Sequence, residues 1–209
     1  CLIDGEVLSG PVSCLDARIR WNGADDDFPR VINHLDMDGD GMPEVVYADS
    51  WNAVGDTGKI YAFNGSSLVD GDYDLLTDND WRIDGRHAYD YVGSQLGGGD
   101  LDGDGYDELL IGAYGDDHPD PKTGSLFIMA GGPDEPVPVR TAQFDKDAHI
   151  YGETEGAQVG RWNPSSVGDV NGDGIDDVYT TGRVQNGVWS DWDGLLLGTT
   201  DLETNGFEE

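Results

Sequence analysis

Residues 100–108 read DLDGDGYDE, and two other stretches repeat the pattern: DMDGDGMPE at 36–44 and DVNGDGIDD at 169–177. Their first residues lie 64 and 69 positions apart. Each stretch has Asp or Asn at positions 1, 3 and 5, Gly at positions 4 and 6, and an acidic residue at position 9. A period of this length predicts a repeat protein in which each repeat is one supersecondary unit. We call these stretches the first, second and third acidic loops.

Oxygen-bearing side chains that alternate with glycine are typical of a loop that curls around a hard cation. Calcium fits this pattern best, because it accepts six to eight oxygen ligands in flexible geometry. We therefore predict three Ca²⁺ sites, each with four side chains and the main-chain carbonyl of position 7 as ligands. The predicted ligands are Asp36, Asp38, Asp40, Met42 and Glu44; Asp100, Asp102, Asp104, Tyr106 and Glu108; and Asp169, Asn171, Asp173, Ile175 and Asp177.

Two other interpretations of the acidic loops are weaker. An EF-hand begins in the same way, but it needs a Glu at position 12, where this chain has Tyr47, Ile111 and Thr180. Position 9 must therefore complete the site. Asp-Gly turns solvated by water are the plainer alternative, but they leave at least four carboxylates repelling one another within nine residues.

Short apolar runs recur in phase with the loops. A first run follows each loop, at 45–48, 109–113 and 178–180, and a second lies at 59–63, 125–130 and 195–197. A motif containing Ile lies ahead of each loop, at 16–19, 80–83 and 147–150. Four short runs per repeat, separated by Gly- and Asp-rich turns, predict a four-stranded antiparallel sheet. We expect a leader at 1–15 and a single domain at 16–209, with repeats at 16–79, 80–146 and 147–209.

The residues around the second loop resemble a known repeat. Val92-Gly93 precedes this loop, and Gly112-Ala113-Tyr114 follows it. With the loop between them, these residues are similar to the FG-GAP repeat of integrin α-subunit β-propellers. The third repeat is similar at Val159-Gly160 and 168–177 but has Thr180-Thr181-Gly182 in place of the GAP triplet, and the first matches well only in its loop. The resemblance implies all-β, propeller-type blades with calcium between the first and second strands, and no catalytic residues.

The charge of the chain limits its partners. Asp and Glu number 43 against 11 Lys and Arg, for a net charge of −32. We expect no binding to nucleic acid or to anionic membrane surfaces, because both would repel the chain. No stretch resembles an 18-residue apolar segment, so no membrane span is expected. The acidic stretch at 70–80 is expected to face solvent, and the binding of extra, weaker ions there is the alternative.

The two cysteines, Cys1 and Cys14, fit one local disulfide in an oxidising compartment. Two free thiols, pairing with another chain and a lipid anchor at Cys1 are the alternatives. We expect an extracellular or cell-surface location. Asn64-Gly65-Ser66 is both a glycosylation sequon and a turn sequence.

Three blades are fewer than the four to eight of ordinary propellers. The chain has a fourth-strand motif around Ile19 ahead of the first loop and little beyond Leu197 to complete its last blade. Strand exchange within the chain or with a neighbouring copy would resolve this mismatch. We therefore expect head-to-tail assembly into a ring or a filament. The alternative is that the chain is a fragment of a longer propeller.

These features predict a non-catalytic calcium-binding structural or adhesion protein with a protein or glycan ligand. No G-x-S-x-G, H-E-x-x-H or Walker motif occurs, and the four histidines are scattered. The alternative function is calcium-dependent glycan binding, in which aromatic side chains stack on sugar rings. Its candidate residues are Trp51, Trp162, Trp189 and Trp192.

Overall fold

The computed structural model describes residues 19–23, 30–51, 55–117, 122–133, 139–162, 164–185 and 189–196. The expected leader at 1–15, with both cysteines, lies outside these ranges. The strands, in chain order, are β1 (Ile19–Asn22), β2 (Arg30–Leu35), β3 (Glu44–Asp49), β4 (Lys59–Phe63), β5 (Gly71–Asp74), β6 (Trp81–Asp84), β7 (Gln95–Gly99), β8 (Glu108–Ala113), β9 (Ser125–Met129), β10 (Val139–Thr141), β11 (Ala148–Tyr151), β12 (Ser165–Ser166), β13 (Val178–Gln185) and β14 (Trp189–Leu196). A short helix, α1 (Ala142–Asp145), and a 3-10 turn at Gly65–Ser67 accompany them. The predicted all-β class is confirmed.

Two sheets repeat the same antiparallel order. The first contains β2, β3, β4 and β6 side by side, with β10 added in parallel to β6. The second contains β7, β8, β9 and β11, and the third contains β12, β13 and β14. Each acidic loop therefore connects the first strand of a sheet to the second. The apolar runs predicted to follow the loops are confirmed as β3, β8 and β13 and as β4, β9 and β14.

The second sheet packs between the other two. Alternate residues of β8 and β9 point to opposite faces, as the period of two in a strand requires. The residues on one face pack in a hydrophobic core with the first sheet: Leu109, Ile111, Phe127 and Met129. The residues on the opposite face, Leu110, Leu126 and Ile128, pack in a second core with Val159 and Val178 of the third repeat. Both faces are apolar because both are buried, which explains the unbroken hydrophobic runs in these strands.

The first strands of the three sheets are neighbours, since β7 lies against both β2 and β12. A Cβ added at Gly98 would lie 2.3 Å from a Leu35 methyl carbon, so the glycines of β7 allow this close approach. The arrangement places all three acidic loops at one end of the molecule. The described sheets are open, and the ring closure considered above is not observed among these residues.

The outer face of the first sheet is covered by a two-stranded ribbon. In this ribbon β1 pairs in parallel with β5. Trp21 of β1 and Tyr73 of β5 pack with Phe63, at ring-centroid distances of 5.8 Å from Trp21 to Phe63 and 5.8 Å from Phe63 to Tyr73. The motif around Ile19 therefore lies on its own chain's first sheet, where aromatic burial holds it, and not at the edge of the third. Part of the acidic 70–80 stretch forms β5, and Asp72 and Asp74 of this strand are exposed to solvent, as expected.

Candidate metal centres

The three acidic loops share one backbone conformation. Their glycines at positions 4 and 6 all have positive φ, between 70° and 93°. A side chain is strained in this left-handed region, which accounts for glycine at both positions. The set consists of Gly39, Gly41, Gly103, Gly105, Gly172 and Gly174.

The loops also share four hydrogen bonds from main-chain N–H groups to their own acidic or amide side chains. The N–H of position 5 donates to the Oδ1 of position 3 at 3.1, 3.0 and 2.9 Å in the first, second and third loops. Position 6 donates to position 1 at 3.0, 3.2 and 2.8 Å. Position 7 donates to position 5 at 2.8, 2.9 and 3.0 Å. Position 2 donates to position 9 at 2.7, 2.6 and 2.9 Å. These bonds fix the side chains over the interior of each loop.

This geometry brings carboxylate oxygens together. One oxygen each from Asp36, Asp38 and Asp40 lie within 4.8 Å of one another in the first loop. Asp100, Asp102 and Glu108 do the same in the second. The third loop has a carboxamide at position 3, where the Nδ2 of Asn171 lies 3.5 Å from Asp177 Oδ1.

The acidic residues at position 9 are buried, with Glu44 at 1% exposure and Glu108 and Asp177 at 0%. Burial raises the pKa of Glu44 to about 7 and the pKa of Glu108 to about 8. Burial is the main cause of both pKa shifts; nearby aspartates act in the same direction, whereas main-chain hydrogen bonds oppose the shifts. Buried carboxylates of this kind become charged readily only when a cation lies beside them.

Unsatisfied oxygen atoms also fit a bound cation. Oε1 of Glu44 and Oδ1 of Asp36 are buried and have no hydrogen-bond partner among the described residues. A hard cation between them would satisfy both atoms, and an all-oxygen set of this size suits Ca²⁺. The first two loops would hold it through the ligands predicted above. In the third loop Asp169 is solvent-facing, and hydrogen bonds from the main chain, first that of Gly174, hold its pKa below the ordinary value.

Neighbouring loops are in direct contact. The N–H of Asp107 donates to the main-chain oxygen of Asp36 at 3.1 Å, and the N–H of Asp176 donates to that of Asp100 at 3.2 Å. The ring of Tyr106 lies against Gly39, where an added Cβ would be 2.5 Å from a ring carbon. The N–H of position 8 in one loop thus donates to the main-chain oxygen of position 1 in the preceding loop. The side chain of position 7 covers the position 4 glycine of that preceding loop. The loops form a row in chain order.

Comparisons with known proteins agree with this architecture. An FG-GAP repeat family model matches residues 92–129, which cover the second loop with the strands β7, β8 and β9. The chain is 35% identical over 105 residues to integrin alpha-PS2 of Drosophila melanogaster. This chain therefore contains an FG-GAP repeat at residues 92–129 and is similar to an integrin over about half of its length. Because the three acidic loops share one backbone conformation, all three are called FG-GAP loops below. The match covers 47% of this chain and 7% of the relative, so this chain spans a small part of that protein.

FG-GAP repeats indicate an integrin-like propeller module. The family of FG-GAP propellers is generally non-enzymatic. In the ranges described, no helix is long and apolar enough to cross a membrane.

Asn64 contributes to the first FG-GAP loop, although the sequence marked it only as a sequon or a turn. Its Nδ2 donates to Oδ2 of Asp38 at 2.6 Å, and its Oδ1 accepts from the N–H of Ser66 at 2.9 Å. The residue lies 26 positions from Asp38. Only the antiparallel pairing of β3 with β4 brings the two together, so no local sequence signal could have revealed the contact.

The end of the sheets opposite the FG-GAP loops has an aromatic face, formed by Trp51, Tyr91, Tyr114, Arg161 and Trp162. Tyr91 and Tyr114 are stacked at 4.8 Å, and Trp51 lies 5.1 Å from Tyr91. Arg161 lies over the rings of Tyr114 and Trp162 at 5.3 and 5.0 Å. A cavity of about 310 Å³ opens among Trp51, Tyr114, Arg161 and Trp162. Two of the four candidate tryptophans, Trp51 and Trp162, therefore line one cavity, and the side chains of Trp189 and Trp192 lie outside the described part of the chain.

Proposed function

We propose that this protein is a non-catalytic, extracellular calcium-binding structural or adhesion protein with one Ca²⁺ in each FG-GAP loop. The observation that supports the proposal most strongly is the set of four hydrogen bonds repeated in all three loops. These bonds hold the side chains of positions 1, 3, 5 and 9 over one loop interior, where the carboxylates repel one another unless a cation lies among them. The similarity to an integrin supports the extracellular location.

Calcium would act mainly by stabilising the fold. An ion that binds only the folded state contributes about 4 kcal/mol at a thousandfold excess over its dissociation constant. It would also neutralise part of a net charge of −32, which otherwise opposes a compact state. The row of loops would then be held together at one end of the three sheets.

Thermal unfolding in calcium and in EDTA tests this proposal. We expect calcium to raise the melting temperature, and we expect Asp104→Asn to lower the calcium-dependent rise because it removes one ligand charge. Glu153→Gln is the matched control, since Glu153 is exposed and lies outside the loops. Equal melting temperatures in calcium and EDTA would contradict a stabilising role for the ion.

The proposal also includes head-to-tail association of copies. Met42 at position 7 of the first loop is 49% exposed, and open space surrounds Gly172 at position 4 of the third. Met42 of one copy could cover Gly172 of another, in the way that Tyr106 covers Gly39. Pro43 at position 8 has no N–H, so the hydrogen bond that joins neighbouring loops within the chain cannot form between copies. The β1 strand is already packed on its own first sheet, so it is not available for another copy. We therefore expect weak association that does not use β1 as a donated strand.

Light scattering across a range of protein concentrations in millimolar calcium tests the association. We expect the mean mass to rise with concentration and Met42→Asp to abolish the rise. Val69→Asp, which changes another exposed apolar residue, is the control. A mass equal to one chain at every concentration would contradict head-to-tail contact.

Glycan binding at the aromatic face is the second candidate function. The stacked rings offer platforms for sugars, and the cavity of about 310 Å³ lies within the range of ligand sites. Arg183 lies over the Trp162 ring at 5.1 Å, so two guanidinium groups concentrate positive charge in an acidic chain. An acidic sugar would fit this chemistry. Because the face lies opposite the FG-GAP loops, calcium would act on it only through the fold.

A glycan array in calcium, followed by variants, separates this function from a purely structural role. We expect acidic glycans to bind and Trp51→Ala to weaken binding at least tenfold, since Trp51 is 54% exposed and its loss spares the core. Tyr151→Ala is the control, because Tyr151 is similarly exposed on β11. An array without any bound glycan would exclude this candidate.

A further inference from the structure

Three side chains of metal-ligating type meet in the second repeat, away from the FG-GAP loops. One ligand atom each from His87, Asp90 and Asp116 lie within 4.8 Å of one another. His87 and Asp90 precede β7, and Asp116 follows β8, so the group lies at the end opposite the second loop. Asp90 is 1% exposed and Asp116 is 2% exposed, whereas the His87 side chain is 57% exposed. Two buried carboxylates therefore have an accessible imidazole beside them.

Local hydrogen bonds hold the two turns together. The main-chain N–H of His87 donates to Oδ2 of Asp90 at 3.2 Å, and His87 Nδ1 lies 3.4 Å from the same oxygen. The N–H of Gly115 donates to the main-chain oxygen of Asp90 at 3.2 Å. The spacing of the ligand atoms is thus set by backbone contacts between the turns and does not depend on a bound ion.

We propose that His87, Asp90 and Asp116 bind one divalent transition-metal ion of the zinc class. Zinc takes imidazole nitrogen and carboxylate oxygen at about 2.0–2.2 Å, which places neighbouring ligand atoms about 3.3 Å apart. His87 Nδ1 and Asp90 Oδ2 are already 3.4 Å apart, and the ligand atoms of the group all lie within 4.8 Å of one another, so Asp116 would have to complete the site by a side-chain adjustment. The imidazole favours zinc over calcium, whose ligands are oxygens. Three protein ligands leave the fourth position to water.

Surrounding side chains orient the proposed ligands. Ser125 Oγ donates to Oδ2 of Asp116, and His149 Nε2 is hydrogen-bonded to the same Ser125 oxygen at 2.8 Å. Such outer contacts are typical of metal sites, where they fix the direction of the carboxylate. The exposed His87 imidazole places one side of the group at the protein surface, where an ion from solvent can reach it.

An unsatisfied atom lies on the side chain that is hydrogen-bonded to Asp90. Gln143 Nε2 donates to Oδ2 of Asp90 at 2.8 Å, but Oε1 of the same amide is buried without a hydrogen-bond partner among the described residues. A water molecule on the metal would donate to this oxygen. Burial, and then the nearby charge of Asp116, raise the pKa of Asp90 to about 6, so the pair without an ion holds a proton more readily.

Zinc titration in saturating calcium tests the site, because calcium occupies the FG-GAP loops first. We expect one Zn²⁺ to bind, and His87→Gln and Asp90→Asn each to weaken binding at least tenfold. Glu153→Gln, an exposed change elsewhere, should leave binding unchanged. With Co²⁺ in place of zinc, we expect visible absorption bands that shift or disappear in His87→Gln, because the nitrogen ligand is lost.

His87→Gln is the decisive variant, since its exposed side chain can change without disturbing the core. Its circular dichroism spectrum and its thermal unfolding should match those of the unmodified protein, which shows that it is folded. Absence of zinc uptake by the unmodified protein would overturn the proposal, and the two carboxylates would then share a proton. Equal zinc affinity in His87→Gln would overturn it as well, because the ion would lie elsewhere. Neither result depends on whether the FG-GAP loops bind calcium.

Discussion

The substitution Glu108→Gln should have opposite effects on stability with and without calcium. Glu108 is fully buried and accepts a hydrogen bond from the N–H of Leu101 at 2.6 Å. Glutamine keeps the size of the side chain and an oxygen that can accept this bond. The change therefore removes the ionisable group and leaves the packing almost intact.

The magnitude follows from the pKa of Glu108, which burial raises from its ordinary value of 4.5 to about 8. Below pH 4.5 this carboxyl is protonated in both the folded and the unfolded state, so it costs no stability. As the pH rises from 4.5 to 8, the unfolded state ionises first and the folded state loses relative stability. At about 1.4 kcal/mol per pH unit, the full loss is on the order of 5 kcal/mol.

Thermal unfolding at pH 5 and pH 8 measures the effect. In EDTA at pH 8, we expect Glu108→Gln to be more stable than the unmodified protein by a few kcal/mol, or about 10 °C in melting temperature for a chain of this size. At pH 5 the two should nearly coincide. In calcium the order should reverse, because the ion compensates the charge of Glu108 and the variant lacks a ligand.

Two results would refute this reasoning. If Glu108→Gln is less stable than the unmodified protein in EDTA at pH 8, the carboxylate is not penalised by burial. If calcium stabilises both proteins equally, Glu108 does not contact the ion. Glu153→Gln should show neither effect, because Glu153 is exposed.

Three further substitutions test the packing by denaturant unfolding. Leu110→Ala should cost 2–5 kcal/mol, because Leu110 is fully buried in the core shared with the third repeat; a loss below about 1 kcal/mol would contradict that packing. Gly39→Ala should cost clearly more than Gly172→Ala, since both have positive φ but only the first meets the Tyr106 ring; equal losses would argue against contact between loops. Trp21→Ala should cost about 1–3 kcal/mol by exposing the aromatic cluster on the first sheet, and no loss would show that β1 does not cover this sheet.

Local sequence patterns were sufficient to predict the acidic loops and the strands beside them. Glycines at positions 4 and 6 act through their own backbone conformation, so their spacing alone specifies the turn. The apolar runs of β8 and β9 likewise reveal strands that are buried on both faces. These features depend on residues close together in the chain, which a single sequence displays.

Contacts between distant segments could not be predicted in this way. The β1–β5 ribbon joins residues 52 positions apart, and β5 lies in an acidic stretch with few apolar residues. The burial of Trp21 and Tyr73 against Phe63 holds it in place, and no periodicity marks that choice. His87 and Asp116 are also far apart in sequence. Their meeting depends on the turn after β8 folding back toward the segment before β7.

A crystal structure grown in calcium would test the central claim most directly, because it shows the contents of each FG-GAP loop. We expect an ion in all three loops, bound by the residues at positions 1, 3, 5 and 9 and the carbonyl of position 7, at about 2.3–2.6 Å. Anomalous scattering should identify it as calcium. Density for water alone in these loops, at ordinary hydrogen-bond distances, would contradict the claim.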